Sequence, residues 1–377
     1  MSFDWRRITT KGPGIPGVAA LLLLGTFWFA TFSGEDTRSG PPPKRLEARL
    51  RRLFADNAPG IRALAVPMNG LLYLFGERRG ADTVFVAASS SRGGILLFTP
   101  ELPLERPAPK DEECFARNVG LIRTEVAALQ EAGVDRVLLV PVPTKLSVAL
   151  AVDPSIRAQV EDIAPPARGG GRSADLDGHR TAEAYDAFAA GFDSTEGVDV
   201  VPLQRLFVAR AANPDQPVFA YEDTHWTSLG LNLAAAEILR VWRGEQAVSL
   251  ERAGEWPDDP GDLQRMLALP DSSWFRTHPA TEDIYELRTA YDGGPCRKGA
   301  FLIGTSYSGH RGQTLAGLLS QASGCQVTDV SRWGEAPVVS LRALSEEHGA
   351  ELEGAVVIWE FPFRDLVDEW AFRAKPR

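Results

Sequence analysis

Cysteine is scarce in this chain. Its 377 residues include three cysteines, Cys114, Cys296 and Cys325, and their spacing matches no common pattern of metal ligands. The sequence therefore predicts no metal centre built on thiolates. Cys296 and Cys325 each precede an apolar run, so neighbouring strands could bring the two together. A disulfide formed in an oxidising compartment and three free thiols both fit this spacing.

Positive charge is also in short supply, since 40 Lys and Arg residues face 50 Asp and Glu residues and the net charge is -10. Binding to nucleic acid requires clustered Lys and Arg side chains against the phosphates. The chain shows no helix-turn-helix, zinc-finger or RNP-like pattern that would offset this balance. We therefore expect no nucleic acid among its partners.

Long uncharged runs are limited to one, within residues 15–33. About 18 residues of helix span roughly 27 Å, which is close to the thickness of a bilayer core. Arg6, Arg7 and Lys11 precede the run, and the positive-inside rule places them in the cytoplasm. We predict a transmembrane anchor at 15–33 after a cytoplasmic tail at 1–14. A cleaved signal peptide is the alternative, and both interpretations export the rest of the chain.

The exported part begins with a segment rich in Gly, Pro and charge, which we interpret as a spacer at 34–65. From residue 66 to residue 377, short apolar runs alternate with amphipathic helical patterns, as they do in α/β proteins. The sequence predicts one three-layer α/β domain with a mainly parallel sheet. Residues 244–298 show little periodicity, and we expect an irregular insertion there with no assignable role.

One apolar run, Ala300–Ile303, stops at Gly304 and is followed by Thr-Ser-Tyr-Ser, and a helical pattern begins around Arg311. This pattern places Ser306 where a buried parallel strand ends, at the edge where open α/β sheets carry their chemistry. Ser306 is therefore a candidate nucleophile. Capping of the following turn is the alternative role, because Ser and Thr are favoured at such positions.

A nucleophilic serine needs a base within hydrogen-bonding reach and an acid that orients the base. Of the five histidines, His225 alone lies in a compact polar segment directly after an apolar run, Val218–Tyr221, with Asp223 two residues before it. We interpret that run as another strand end, and Asp223 and His225 as the orienting acid and the base. His310 is the alternative base, four residues from Ser306 but without an adjacent acid.

A further apolar run from Arg136 leads through Val142 into a polar loop that contains Lys145. Such a continuous run is typical of a buried parallel strand. Lys145 would then lie on the functional edge of the sheet. A solvated loop lysine is the alternative.

Four segments in order resemble a known family. Asp223–Thr227 and Gly304–Ser308 are similar to the paired signature motifs of the alginate O-acetyltransferase family, the AlgJ/AlgX-like SGNH-hydrolase-type proteins of Gram-negative envelopes. Val140–Lys145 resembles the family's Val-Pro-x-Lys strand end, and Val356–Pro362 resembles its closing strand. The resemblance covers about residues 80–370.

This resemblance implies an SGNH-like domain in the periplasm, tethered to the inner membrane, that O-acetylates a secreted exopolysaccharide. It implies that Ser306 is the nucleophile and carries an acetyl-serine intermediate, that His225 is the base, and that Asp223 orients the base. The implied partners are the polysaccharide acceptor and a membrane-bound O-acyltransferase that supplies the acetyl group. No soluble cofactor is implied.

The segment after the nucleophile departs from the family pattern, which commonly carries aromatic and Asn residues there. Arg311 is consequently a candidate contact for the oxyanion or the substrate, and a surface arginine at a helix start is the alternative. Lys145, Trp226 and Tyr307 are the other candidates for such contacts. Trp226 and Trp333 could stack on sugars, and burial in the core is the alternative for both.

Two other functions stay open at this point. An esterase that deacetylates the polymer would use the same three residues with water as the acceptor, since the choice between transfer and hydrolysis depends on how well water is excluded. A non-catalytic scaffold of a polysaccharide export complex would need none of them. The sequence does not identify the polymer.

Overall fold

The computed structural model describes residues 84–89, 93–98, 101, 109–153, 156, 179–213, 215–220, 223–244, 248–257, 261–263, 281–289, 299–369 and 371–372. All of them belong to one unit, Ala63–Arg377. The expected tail, anchor and spacer at 1–14, 15–33 and 34–65 lie outside the described residues. None of the helices in the described ranges combines the length and the apolar character needed to cross a bilayer.

The described ranges contain both helices and strands. The helices are α1 (Pro109–Glu131), α2 (Lys145–Val152), α3 (His179–Ala190), α4 (Leu203–Ala211), α5 (Ser228–Arg243), α6 (Leu315–Ser323) and α7 (Pro337–His348). The strands are β1 (Val84–Ser89), β2 (Gly93–Phe98), β3 (Arg136–Val142), β4 (Val198–Val200), β5 (Val248–Pro257), β6 (Thr281–Thr289), β7 (Ala300–Ile303), β8 (Gly309–His310), β9 (Gln313–Thr314), β10 (Val327–Asp329) and β11 (Val356–Pro362). Short 3-10 helices cover Ser306–Ser308, Gly349–Glu351 and Phe363–Val367.

The central sheet has the strand order β10-β7-β11-β3-β4, and each neighbouring pair is parallel. Its side chains alternate between two cores, because successive residues of a strand point to opposite faces. Leu138 and Val140 contribute to one core, with α4, α5 and α6. Val137 and Leu139 contribute to the other, with α1, α3 and α7. This arrangement confirms the predicted three-layer α/β fold with a mainly parallel sheet.

The register of the sheet brings several strand ends to one edge. Ile303 at the end of β7 lies opposite Trp359, and Val142 at the end of β3 lies opposite Pro362. Since the strands are parallel, the segments that follow them emerge on the same side. The segment after β7 contains Ser306, as predicted.

The prediction of an irregular insertion at 244–298 is wrong for its described residues. β5 and β6 pair antiparallel over their length and form a two-stranded ribbon, with a bulge between Arg252 and Gly254. The ribbon carries many charged side chains, and Arg252 pairs with Asp283 across the strands at 2.8 Å and with Glu255. Because these side chains are solvated, the apolar alternation that predicts strands is missing.

Two further predictions about local structure are corrected. Residues 218–220 do not join the sheet, and a single isolated bridge links Phe219 to Trp226 across a turn. The helix expected from about Arg311 begins at Leu315, because the β8–β9 hairpin comes first. A positive φ of 44° at Arg311 and of 88° at Gly312 makes the hairpin turn and excludes a helix there.

The cysteines are partly described. Cys325 is disulfide-bonded and Cys114 is a free thiol, so the alternative of three free thiols is wrong. The expected partner, Cys296, lies outside the described residues.

Candidate active site

Three side chains from the predicted segments meet at the carboxyl edge of the sheet. His225 Nε2 lies 2.8 Å from Ser306 Oγ, and His225 Nδ1 lies 2.5 Å from Asp223 Oδ1. These distances place a hydroxyl, an imidazole and a carboxylate in the order of a nucleophile, its base and the group that orients the base. The structure therefore brings together the three residues that the sequence singled out.

The base lies in a tight turn, Asp223–Trp226, which we call the base turn. Asp223 Oδ1 also accepts the backbone N–H of His225 at 2.9 Å, a local bond that Asp is well suited to make in turns. The side chain of Thr227 then caps α5 by accepting the N–H of Gly230 at 3.2 Å, a role for which Thr is favoured. One short segment thus fixes both the acid and the base before the helix begins.

Asp262, which the sequence did not indicate, is hydrogen-bonded to two residues of this turn. The N–H and Oγ1 of Thr224 donate to its carboxylate at 2.7 and 2.5 Å, and its own N–H donates to Asp223 Oδ2 at 3.0 Å. Its Oδ2 lies 3.7 Å from His225 Nδ1. Asp262 therefore positions the base turn and puts a second carboxylate beside the imidazole.

The electrostatics of this cluster favour a basic imidazole. Burial raises the pKa of Asp223, but the hydrogen bond and charge of His225 outweigh it and hold that pKa below its ordinary value. Burial lowers the pKa of His225, and the hydrogen bond and charge of Asp223 raise it, with a net upward shift. Burial and then the charge of Asp223 raise the pKa of Asp262. A base with a raised pKa accepts a proton from a hydroxyl more readily.

The same three residues, Asp223, His225 and Asp262, offer ligand atoms within 4.8 Å of one another. A cation bound at His225 Nδ1 would displace the hydrogen bond that orients the base. The carboxylate of Asp262 already accepts two hydrogen bonds from Thr224. We therefore interpret the cluster as a proton-transfer site rather than a metal centre.

Glu360 lies beneath Gly304–Ser308, the nucleophile loop, and is completely buried. Its Oε2 accepts the N–H of Thr305 and the hydroxyl of Ser308, each at 2.8 Å, and its Oε1 accepts the hydroxyl of Thr305 at 2.9 Å. A Cβ at Gly304 would meet Ser308 Oγ and come within 2.6 Å of Glu360 Oε2, so glycine is required there for close approach. Burial raises the pKa of Glu360 to about 7.

A signal for Glu360 exists in the sequence. It is the one charged residue within the otherwise apolar strand Val356–Pro362. Charged groups are almost never fully buried unless they are paired or hydrogen-bonded. A carboxylate in such a strand next to the nucleophile edge therefore indicates a partner in the loop above it.

Tyr307 connects the base turn to the nucleophile loop. Its hydroxyl donates to the carbonyl of Thr224 at 2.9 Å, and Arg364 Nη1 donates to that hydroxyl at 2.8 Å. The rings of Tyr307 and His225 lie 4.8 Å apart. Through these contacts Tyr307 links the base turn to the nucleophile loop. Its side chain is almost completely buried, so it does not fit the predicted role of a substrate contact.

Lys145 and Trp226 are also buried. Lys145 is 2% exposed, begins α2, and donates from Nζ to the carbonyl of Asp223 at 3.0 Å. It supports the base turn, and the alternative of a solvated lysine is wrong. Trp226 is 0% exposed and packs against Tyr307 with ring centroids 5.5 Å apart. It therefore offers no surface to a sugar.

Arg311 and His310 connect the β8–β9 hairpin to the ribbon. Arg311 Nη1 donates to the carbonyl of Pro257 at 2.9 Å, and its Nε lies 3.6 Å from Glu282. His310 Nε2 lies 2.9 Å from the same Glu282 carboxylate. The contacts of Arg311 are thus those of a structural arginine, and the alternative base, His310, is engaged by the ribbon.

Comparisons with known proteins identify relatives of this chain. A family model described as "SGNH hydrolase-like domain, acetyltransferase AlgX" matches residues 97–363. A probable alginate O-acetylase AlgJ from Pseudomonas syringae pv. tomato is 29% identical over 184 residues, which is 44% of this chain and 45% of that protein. A probable alginate O-acetylase AlgJ from Pseudomonas aeruginosa is 28% identical over 204 residues, 48% of this chain and 50% of that protein.

Among solved structures, the O-acetyltransferase domain of Pseudomonas putida AlgJ matches 76% of this chain and 93% of its own, with a TM-score of 0.50 and 25% identity. The chain spans about half the length of the curated relatives it matches. These matches confirm the resemblance to the alginate O-acetyltransferase family, and the family model spans Asp223, His225 and Ser306.

Proposed function

This chain belongs to the family of AlgX-type SGNH hydrolase-like acetyltransferase domains, and on that premise we propose that it is an O-acetyltransferase for hydroxyls of a secreted polysaccharide. The observation that carries the proposal is the 2.8 Å contact between His225 Nε2 and Ser306 Oγ, with Asp223 on the other imidazole nitrogen. A serine activated in this way takes up acyl groups. Alginate is the acceptor that the names of the relatives suggest.

In the first half-reaction, His225 Nε2 accepts the proton of Ser306 Oγ as the oxygen attacks the carbonyl carbon of an acetyl donor. The carbon–oxygen bond to Ser306 forms, the bond to the leaving group breaks, and His225 returns the proton to that group. The product is acetyl-Ser306. Asp223 holds Nδ1–H throughout and stabilises the imidazolium that forms.

In the second half-reaction, a sugar hydroxyl gives its proton to His225 and attacks the acetyl carbon. The bond to Ser306 breaks, and Ser306 Oγ recovers the proton. Each tetrahedral intermediate carries an oxyanion, for which we propose the backbone N–H of Ser306 as one donor. Such donors contribute about 3–4 kcal/mol to transition-state stabilisation.

We propose that residues 15–33 anchor the chain in the inner membrane and that the domain faces the periplasm. This rests on the long uncharged run and the basic residues before it. A membrane-bound O-acyltransferase would then supply the acetyl group on the same side. Fractionation of cells should find the chain with the inner membrane, and protease added to spheroplasts should digest its domain.

The proposal is tested with purified protein, a chromogenic acetyl ester as donor and alginate oligosaccharides as acceptor. Ser306→Ala should lose transfer by at least about a thousandfold, whereas Ser345→Ala, at an exposed serine of α7, should act as wild type. Transfer by Ser306→Ala at the wild-type rate would exclude the proposed nucleophile. Release of free acetate without acetylated sugar would favour the esterase, and formation of neither product by the wild type would favour the scaffold.

A further inference from the structure

One tryptophan stands apart from the rest of the described side chains. Trp333 is 60% exposed, and within the described residues it is the one large hydrophobic side chain that is exposed. It follows β10, an edge strand of the sheet, so it lies on the same edge as Ser306. An isolated exposed apolar residue needs no explanation by itself, so its setting has to decide its role.

The setting is a hydrogen-bonded turn. The N–H of Glu335 donates to the carbonyl of Arg332 at 3.3 Å, and Gly334 has a φ of 76°, which puts Trp333 at the second position of a tight turn with glycine third. The N–H of Arg332 donates to the carbonyl of Gly304 at 3.0 Å. The turn that presents Trp333 is therefore bonded to the first residue of the nucleophile loop.

The indole of Trp333 also packs against the backbone of Gly309, three residues after Ser306. A Cβ at Gly309 would come within 2.6 Å of Cζ2 and 3.0 Å of Cη2 of Trp333. The backbone of Gly309 is extended, with φ -153° and ψ 159°, so its conformation does not require glycine. Glycine is required at this position because the Trp333 ring approaches the backbone so closely.

The distance to the reacting atom is short. Three residues of chain span at most about 10 Å, so Gly309 Cα lies within about 10 Å of Ser306 Cα. One edge of the indole packs on Gly309, and more than half of the side-chain surface is exposed to solvent. A pyranose ring has an apolar face of C–H groups, which matches the flat face of an aromatic ring.

We propose that Trp333 is a sugar-binding platform on which a pyranose ring of the acceptor polysaccharide stacks, one or more units from the hydroxyl that reacts. This inference rests on the proposed acetyltransferase function and adds the subsite that holds the acceptor. The turn Arg332–Glu335 and the absence of a side chain at Gly309 fix the ring beside the nucleophile loop.

The test measures the KM for alginate oligosaccharides in transfer from a chromogenic acetyl ester. Trp333→Ala should raise the acceptor KM about tenfold, and Trp333→Phe, which keeps an aromatic face, should recover most of that loss. The loss with the oligosaccharide should exceed any loss with the small ester alone at least about fivefold. Ser345→Ala, at an exposed serine of α7, is the control and should keep the wild-type KM.

Gly309→Ala provides a second route to the same answer, because its Cβ must displace the indole. It should raise the acceptor KM in the wild-type background but have no further effect in Trp333→Ala, which has no ring to displace. Equal effects in both backgrounds would show that Gly309 acts on the loop itself and would overturn this part of the proposal.

The outcomes separate the subsite from the function. If Ser306→Ala abolishes transfer while Trp333→Ala keeps the wild-type acceptor KM, the platform is wrong and the acetyltransferase stands. If Ser306→Ala transfers normally, the proposed function itself fails. A neutral glucan oligosaccharide that responds to Trp333→Ala as alginate does would support stacking on the ring face rather than recognition of the acidic groups.

Discussion

The nucleophile loop, Gly304–Ser308, rests on the core of the sheet, whereas the base turn, Asp223–Trp226, is held by Asp262, a residue between the two strands of the ribbon. Glu360, which bonds the loop, is 0% exposed. The side chain of Asp262, which bonds the turn, is 29% exposed. The buried contacts of Glu360 contribute to the stability of the whole domain. Substitution of the more exposed Asp262 should have less effect on the free energy of unfolding. We therefore expect substitutions below Ser306 to affect stability and substitutions around His225 to affect the pH dependence of the reaction.

The largest expected effect is on the base side, at the acid itself. Both oxygens of Asp223 accept hydrogen bonds, Oδ1 from His225 and Oδ2 from the N–H of Asp262. In Asp223→Asn the amide NH2 must face one of these donors, and the imidazole loses its orientation. We expect kcat to fall by about 10⁴-fold with little change in the urea midpoint. A fall of less than tenfold would show that Asp262 can replace Asp223.

On the nucleophile side, Glu360→Ala should mainly destabilise the domain. The change leaves the N–H and hydroxyl of Thr305 and the hydroxyl of Ser308 without their acceptor in a buried site. We expect a loss of about 4 kcal/mol in the free energy of unfolding, measured by urea denaturation. Asp186→Ala, at an exposed carboxylate of α3 paired with Arg205 of α4, is the control and should cost less than about 1 kcal/mol.

Glu360→Gln sharpens this prediction, because it removes the charge and keeps the shape. Burial raises the pKa of Glu360 from 4.5 to about 7, so above pH 4.5 the unfolded state loses a proton that the folded state keeps. The stability of the wild type should therefore fall by about 3 kcal/mol more than that of the variant between pH 4 and pH 8. Asp365, whose pKa burial raises to about 6, acts in the same direction but is present in both proteins. If the free energies of unfolding of the wild type and of Glu360→Gln changed equally with pH, the raised pKa of Glu360 would be contradicted.

The smallest expected effect belongs to Asp262→Asn. The charge of Asp262 contributes to the raised pKa of His225, and His225 must be neutral to act as a base. The rising limb of kcat/KM against pH should therefore move to lower pH in the variant. The loss of hydrogen bonds to Thr224 should lower kcat by about tenfold or less. An unchanged pH profile with reduced kcat would leave Asp262 a purely structural role.

The sequence predicted the three side chains that meet at the candidate site better than the residues that support them. Ser306, His225 and Asp223 were found because chemistry at a sheet edge needs a hydroxyl, an imidazole and a carboxylate in polar segments after apolar runs. Asp262 was missed because it lies between the two ribbon strands, in a stretch of sequence with little periodicity and several acidic residues. Hydrogen bonds between segments that are distant in the sequence bring Asp262 to the base turn. Such contacts produce no local pattern in the sequence.

The tryptophans show the same limit on prediction. Trp226 and Trp333 had equivalent interpretations in the sequence, as sugar platforms or as core residues. The structure separates them, since Trp226 packs under the base turn and Trp333 stands on a solvent-exposed turn. Burial depends on tertiary packing, which composition and spacing do not determine for a single aromatic residue.

The central claim is that Ser306 carries the acetyl group between donor and polysaccharide. It is tested most directly by mixing the protein with a chromogenic acetyl ester in the absence of acceptor, quenching, and mapping peptides by mass spectrometry. We predict one acetyl group on the peptide that contains Ser306, none in His225→Ala, and its transfer to an alginate oligosaccharide added before the quench. Acetylated sugar formed at the wild-type rate by a protein whose Ser306 never becomes acetylated would contradict the account.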